Sequence, residues 1–337
     1  MGTIIIALIM FLALVTIHEF GHFIVAKLSG IKVNEFAVGM GPEIFSKQNG
    51  ETKYSLRALP IGGYCAMEGE DESSSDPRSY DNAPAFKRFL TILAGPAMNL
   101  LLAVIIFTIV IFNSGTSTRF VGGFSEDSPA KEVGIKVDDE IVSINNIDEF
   151  TDISKILNDF YVDNSKDTPV EVLVKDGSIA KTKIYNINPT FENDIPLLGI
   201  SSKMRNVSFG EAVVLGFKET GLNIKMIFSI LGMLFTGKLS FGSLSGPVGV
   251  VKEIGNQAQN GVMSVLYFLS YISVNLGIFN LIPFPALDGS KLVTNLYEMI
   301  TKKRVNKKIE ERVTIVGFII LISLIIIITI KDVFTLF

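Results

Sequence analysis

Four apolar runs constrain this chain more than anything else in it. Residues 4–28, 89–112, 262–282 and 313–330 are each within or near the ~17–25 residues that a helix needs to cross the hydrocarbon of a bilayer. Inside lipid every backbone N–H and C=O must be satisfied by the protein itself, so such runs become helices. Composition agrees: 48% of the 337 residues are hydrophobic and the mean hydropathy is +0.44, more apolar than a soluble chain of this length. The expected class is a polytopic α-helical membrane protein with about four transmembrane helices. A fifth apolar stretch, residues 212–235, carries Lys218, Glu219 and Lys225, and is expected to lie on the interface as an amphipathic helix.

The N-terminus has no basic region and no small-residue cleavage site, so the first run is expected to be a retained span rather than a signal peptide. Lysine and arginine concentrate in two loops. One follows the first run (Lys32, Lys47, Lys53, Arg57, Arg78, Lys87, Arg88) and the other precedes the last (Lys291, Lys302, Lys303, Arg304, Lys307, Lys308, Arg312). The positive-inside rule places both in the cytoplasm and both termini outside, in a multi-pass protein of the cell membrane. The small net charge of −4 and the lack of a basic tract interleaved with aromatics exclude a nucleic-acid partner.

Between the second and third runs, residues 115–206 change character and become polar and mixed in period. Residues 170–174 and 182–187 alternate like strands around Lys175-Asp176-Gly177, and 152–160 carry apolar residues at helical spacing. A small α+β domain, placed outside the membrane with the termini, is expected there. In the first cytoplasmic loop, residues 54–59 read as a strand, 60–64 as a turn and 65–67 as a returning strand. The acidic, serine-rich residues 68–81 read as a mobile loop. The resulting division is 1–113 (two spans and the hairpin loop), 114–206 (inserted domain), 207–260 (interfacial helix and linker) and 261–337 (two spans).

The chemistry is concentrated in His18-Glu19-Phe20-Gly21-His22, inside the first span. The chain's only two histidines stand four apart, on one helical face, with Glu19 beside them as a base. Imidazole and carboxylate groups are expensive at membrane depth and are seldom there without a role. His18 lies ~20 Å below Ile4 at 1.5 Å per residue, towards the cytoplasmic side. With no third histidine and a single cysteine, Cys65, the third ligand to a zinc must be a carboxylate or something weaker. Asp288 is the candidate: it follows the third span at the same end, behind the helix breakers Pro283 and Pro285. The competing role for Asp288 is an ordinary helix N-cap. Two histidines and an aspartate leave a position open for water, as in a catalytic zinc site. Glu19 can take that water's proton and pass it to a leaving amine, so amide hydrolysis is expected.

Asn99, Asn275 and Asn280 are polar amides inside spans. They either hold the backbone of an unwound substrate or hydrogen-bond between helices. The strand containing Tyr54 and Leu56 either clamps a substrate as an added strand or is a plain hairpin.

The stretches 18–22, 62–70, Gly95-Pro96 through Asn99, 244–249, Ser273-Val274-Asn275 through Gly277 and Leu287-Asp288-Gly289 resemble, in order, the site-2 protease family of intramembrane zinc metalloproteases, of the bacterial regulator-of-sigma-E protease type. That resemblance implies one zinc per chain held by His18, His22 and Asp288, with Glu19 catalytic and Asn275 and Asn280 facing substrate. It implies a hairpin that re-enters the membrane, and substrates that are single-span membrane proteins such as anti-sigma factors or signal-peptide remnants, first trimmed by a site-1 protease. The inserted segment resembles a single PDZ domain, from Phe120-Val121-Gly122-Gly123-Phe124 through Ser128-Pro129 and Asp139-Glu140-Ile141. Asp138 stands where the family usually has glycine. The alternative function is a catalytically inactive membrane PDZ scaffold with a structural metal, disfavoured because Glu19 is intact and is not needed to bind zinc.

Overall fold

The computed structural model describes residues 2–70, 74–148, 153–179, 181–192, 195–239, 242 and 245–336. The chain divides into two units, Met1–Val110 with Gly210–Phe337, and Ile111–Phe209. In the first, the four apolar runs are the helices α1 (Gly2–Ser29), α2 (Ala85–Ser114), α7 (Val262–Leu281) and α9 (Lys307–Leu336), all long and apolar enough to cross a membrane. Helix α9 shows why: Ile319, Ile320, Ile322, Leu324 and Ile325 are exposed around its whole circumference, so the helix is apolar all round. Pro96 sits inside α2 without ending it, as membrane helices tolerate.

Residues 212–235 lie within one helix, α5 (Phe209–Phe235), with Val214, Phe217 and Phe228 exposed. A further helix, α6 (Pro247–Gln259), occupies part of what read as a linker. It opens with Pro247 in its first turn, and the buried Asp332 of α9 accepts a hydrogen bond from the Gly249 N–H at 2.8 Å. Leu244, at the start of the matching motif, lies outside the described residues.

The hairpin differs from the sequence reading. Strands β1 (Val33–Asn49) and β2 (Thr52–Met67) turn at Gly50, so residues 54–59, 60–64 and 65–67 all belong to one strand. Gly39, Gly41 and Pro42 are poor strand formers and give β1 no β-propensity signal at its centre. They bend it instead, Gly39 with φ of +84°. The bend lets both strands fold over: residues 35–38 face 53–56 on one side and 63–66 on the other. Residues 53–56 in turn face both 35–38 and 45–48, so Tyr54 and Leu56 stand in an interior position with both ladder edges taken. The outer edges are those of residues 45–48 and 63–67. The segment after the hairpin is tied down rather than mobile where it is described: Glu68 accepts from Asn34 (2.8 Å), and Lys32 reaches both Glu68 (3.5 Å) and Asp76 (3.2 Å). Residues 71–73 of that stretch lie outside the described residues.

The second unit holds β3 (Thr116–Phe124), α3 (Pro129–Glu132), β4 (Glu140–Ile144), α4 (Ile153–Asp163), β5 (Val170–Lys175), β6 (Thr182–Ile187), β7 (Thr190–Glu192), β8 (Ile195–Leu197) and β9 (Ile200–Arg205). Five strands form an antiparallel sheet in the order β6-β5-β4-β3-β9. Alternation in β5 buries Val170, Val172 and Val174 against Ile141, Ile144 and Leu157. Ser128 caps α3 through the Lys131 N–H, and Asp138 adopts φ of +70°, a conformation at home for glycine. Asp152, at the start of the expected helix, lies outside the described residues.

Candidate metal centre

Helix α1 carries His18 and His22 one turn apart, and both are buried at 7% and 6% exposure. Helix α2 crosses α1 at glycines. A methyl on Gly21 would lie 2.3 Å from the Ala94 carbonyl oxygen, and one on Gly95 would lie 2.3 Å from His22 Nε2 and 2.9 Å from His18 Nε2. Only hydrogen at these two positions lets the backbones close while leaving room at the imidazoles.

Asp288 arrives from the third span. Helix α7 ends at Leu281, the chain turns through Pro283 and Pro285, and α8 (Asp288–Thr301) begins with the aspartate as its first residue. A methyl on Gly289 would lie 2.1 Å from the Ile282 carbonyl oxygen, so the close return of α8 against the end of α7 requires glycine there. The N-cap role does not apply. Leu287 occupies that position, and the Asp288 carboxylate points to the histidines instead.

The three ligand atoms converge. His18 Nε2 and His22 Nε2 are 3.2 Å apart, and Asp288 Oδ2 lies 3.0 and 3.4 Å from them. Zinc held tetrahedrally at about 2.0–2.2 Å by nitrogen and oxygen sets ligand-to-ligand separations of roughly 3.3 Å. The protonation pattern also fits. His22 Nδ1–H donates to the Thr91 carbonyl at 2.8 Å, which leaves the lone pair on Nε2. Asp288 Oδ2 is buried with no hydrogen-bond partner of its own. Lone pairs and a carboxylate oxygen pointed at one another in a buried spot are costly unless a cation lies among them.

Further contacts complete the surroundings, between partners far apart in the sequence. The Glu19 carboxylate accepts from the backbone N–H of Cys65 at 3.1 Å, so the outer edge at residues 63–67 reaches the base. Asn99, fully buried, places its side-chain amide 3.1 Å from His18 Nδ1, and Ser273 of α7 donates to the Asn99 carbonyl at 2.7 Å. Asn99 thus stands behind a histidine and links α2 to α1. On α8, burial works against a charged Lys291, but the Glu70 carboxylate 2.7 Å away outweighs it and holds the ammonium above the ordinary lysine range. This pair ties the segment after the hairpin to the helix that begins with Asp288.

The remaining sequence candidates lie elsewhere. Asn275, half-buried on α7, donates to the Tyr271 carbonyl of its own helix at 2.8 Å. Asn280 is half-buried, and its side chain makes no hydrogen bond among the described residues. Tyr54 packs its ring edge on Phe23 at 5.9 Å between centroids, and Leu56 is 46% exposed on the hairpin.

Comparison with known proteins places these residues in context. The model of peptidase family M50 matches residues 6–324. A protein of Clostridium acetobutylicum assigned as a zinc metalloprotease is 40% identical over 333 residues, covering 98% of this chain and 97% of its own. One of Clostridium perfringens with the same assignment is 39% identical over 337 residues, covering 98% of each chain. A third, from Fusobacterium nucleatum, is 34% identical over 343 residues and covers 99% of each.

Proposed function

The chain belongs to peptidase family M50, and from that premise we propose that it is an intramembrane endopeptidase that cuts single-span membrane proteins within or near their spans. It is a zinc metalloprotease of the membrane. The observation that carries the finer reading is the convergence of His18, His22 and Asp288 on helices long and apolar enough to cross a bilayer.

Bound zinc supplies a Lewis acid that lowers the pKa of water to about 7 and polarises a carbonyl. The chain's own residues do the rest. Glu19 takes the proton from the attacking water and returns it to the leaving amide nitrogen, while the Cys65 N–H holds its carboxylate in place. The Thr91 carbonyl keeps the proton of His22 on Nδ1. A ligating His18 Nε2 likewise leaves its proton on Nδ1; flipping the Asn99 amide, whose nitrogen stands 3.1 Å away, brings its otherwise partnerless Oδ1 there to accept it. Asn99→Ala is therefore expected to weaken zinc binding about 10–100-fold, read by competition with a chelator. Unchanged affinity would reduce Asn99 to packing.

A helical substrate hides its amides and must be unwound before attack. We place the unwound strand on the free edge of residues 63–67, beside Glu19, since the edges of 53–56 are both taken. Asn275 and Asn280 are assigned to the substrate backbone. The inserted domain is read as PDZ-like and extracytoplasmic, acting after an upstream site-1 protease has shed the outer part of the substrate. The site itself lies near the cytoplasmic face, as the basic loops indicate.

The test is cleavage of a tagged single-span protein by the purified enzyme in lipid vesicles. Fragments should map to the span or its edge, vanish with a zinc chelator and return with added zinc. Fragments cut only in soluble regions would overturn the intramembrane reading.

A further inference from the structure

Away from the metal centre, a cleft of about 470 Å³ opens between the start of α2 and the end of α8. Its charge is one-sided. Arg88 and Glu298 pair with each other across its wall and cancel. Arg304 donates to the Asp81 carbonyl at 3.0 Å, which leaves its charge intact, and the Asp81 carboxylate is taken by Lys307. Lys302 and Lys303 are exposed and pair with no carboxylate among the described residues. Three positive charges thus line the cleft with no carboxylate partner among the described residues, offset only by the partial negative charge at the C-terminal end of α8. The first turn of α2, with Ala85 and Phe86 in the cleft wall and Pro84 ahead of it offering no capping side chain, adds the positive end of a 30-residue helix.

Val293 (52% exposed), Leu296 (45%), Tyr297 (47%) and Ile300 (72%) form an i, i+3, i+4, i+7 stripe along the outer face of α8, the face opposite Glu298 and Met299 of the cleft wall, and Phe86 (56%) and Leu90 (37%) are exposed on α2. A short amphipathic helix with an open apolar face and a basic end, beside the first turns of two membrane spans, lies where headgroups meet acyl chains.

We propose that this cleft binds an anionic phospholipid. Lys302, Lys303 and Arg304 hold the headgroup phosphate, Phe86 in the cleft wall meets the start of the acyl chains, and the outer stripe of α8 keeps that helix at the bilayer surface. The proposal rests on the membrane reading of the chain and not on its peptidase activity.

The protein would be reconstituted in nanodiscs of phosphatidylcholine with and without phosphatidylglycerol, and the lipids it retains counted by native mass spectrometry. Phosphatidylglycerol should be retained preferentially, and K302A/K303A/R304A should lower its retention on the order of 100-fold, given three basic residues at the surface. K308Q/R312Q, which removes charge from α9 outside the cleft, should leave retention unchanged. One zinc per chain in every variant confirms folding, and the single exposed change K303E serves if the triple variant misfolds. Equal retention of both lipids, an unaffected cleft variant, or an equal loss in K308Q/R312Q would overturn the proposal. Displacement of the lipid by millimolar inorganic phosphate would overturn it too, by making this a site for soluble phosphate.

Discussion

Glu19→Gln should leave one zinc per chain and lower the rate of substrate cleavage by about 10³-fold or more, near the upper part of what a positioned acid–base group contributes. Glutamine keeps the shape of the side chain and can still accept the Cys65 N–H hydrogen bond, but it cannot carry a proton between the attacking water and the leaving nitrogen. His18, His22 and Asp288 do not include Glu19 among their contacts in the cluster, so metal content should not move. Zinc analysis and a cleavage assay on the same preparation separate the two effects. Persistent cleavage by the loaded variant would sink the role of Glu19 as the base. Loss of zinc in it would show that Glu19 holds the metal.

The second large effect is expected from one added methyl group. In Gly95→Ala the new carbon would stand 2.3 Å from His22 Nε2 and 2.9 Å from His18 Nε2, where ordinary contact needs 3.4 Å or more. Helix α2 cannot simply retreat, because His22 depends on the Thr91 carbonyl and His18 on Asn99, both on that helix. Nor can α1 slide closer elsewhere, since Gly21 already meets Ala94. The variant should therefore lose zinc and cleavage together, with a loss comparable to deleting a ligand. Gly210→Ala, where an added methyl meets nothing within 4 Å, is the control that should retain both. A Gly95→Ala protein with full zinc content would show that the two helices part more readily than their glycine contacts imply.

These two residues also mark the limit of legibility. Glu19 could be read from five letters, because the spacing of His18, Glu19 and His22 places them on a helix whatever else the chain does. Gly95 read only as part of a helix interruption beside Pro96, and nothing local revealed that it lies over two imidazoles. For Asn99 the sequence left open a substrate contact or a hydrogen bond between helices; its amide stands against His18 of α1, 81 residues away. The hairpin was misjudged for the same reason. Alternation marked residues 54–59 as a strand, but which edge stays free depends on the fold-over at Gly39 and Gly41.

The sequence by itself determined the membrane class, the extents of its four long apolar helices to within a few residues at most ends, the polar insertion and the metal-ligand candidates. Hydropathy, helical period and the cost of charge at membrane depth are properties of neighbours along the chain. Only the tertiary structure decided that Asp288 follows the cap of α8 and turns to the histidines, that Thr91 and Asn99 stand behind them, and that a backbone N–H of the hairpin holds Glu19. Those arrangements depend on how closely distant backbones approach, which glycine permits but no periodicity records.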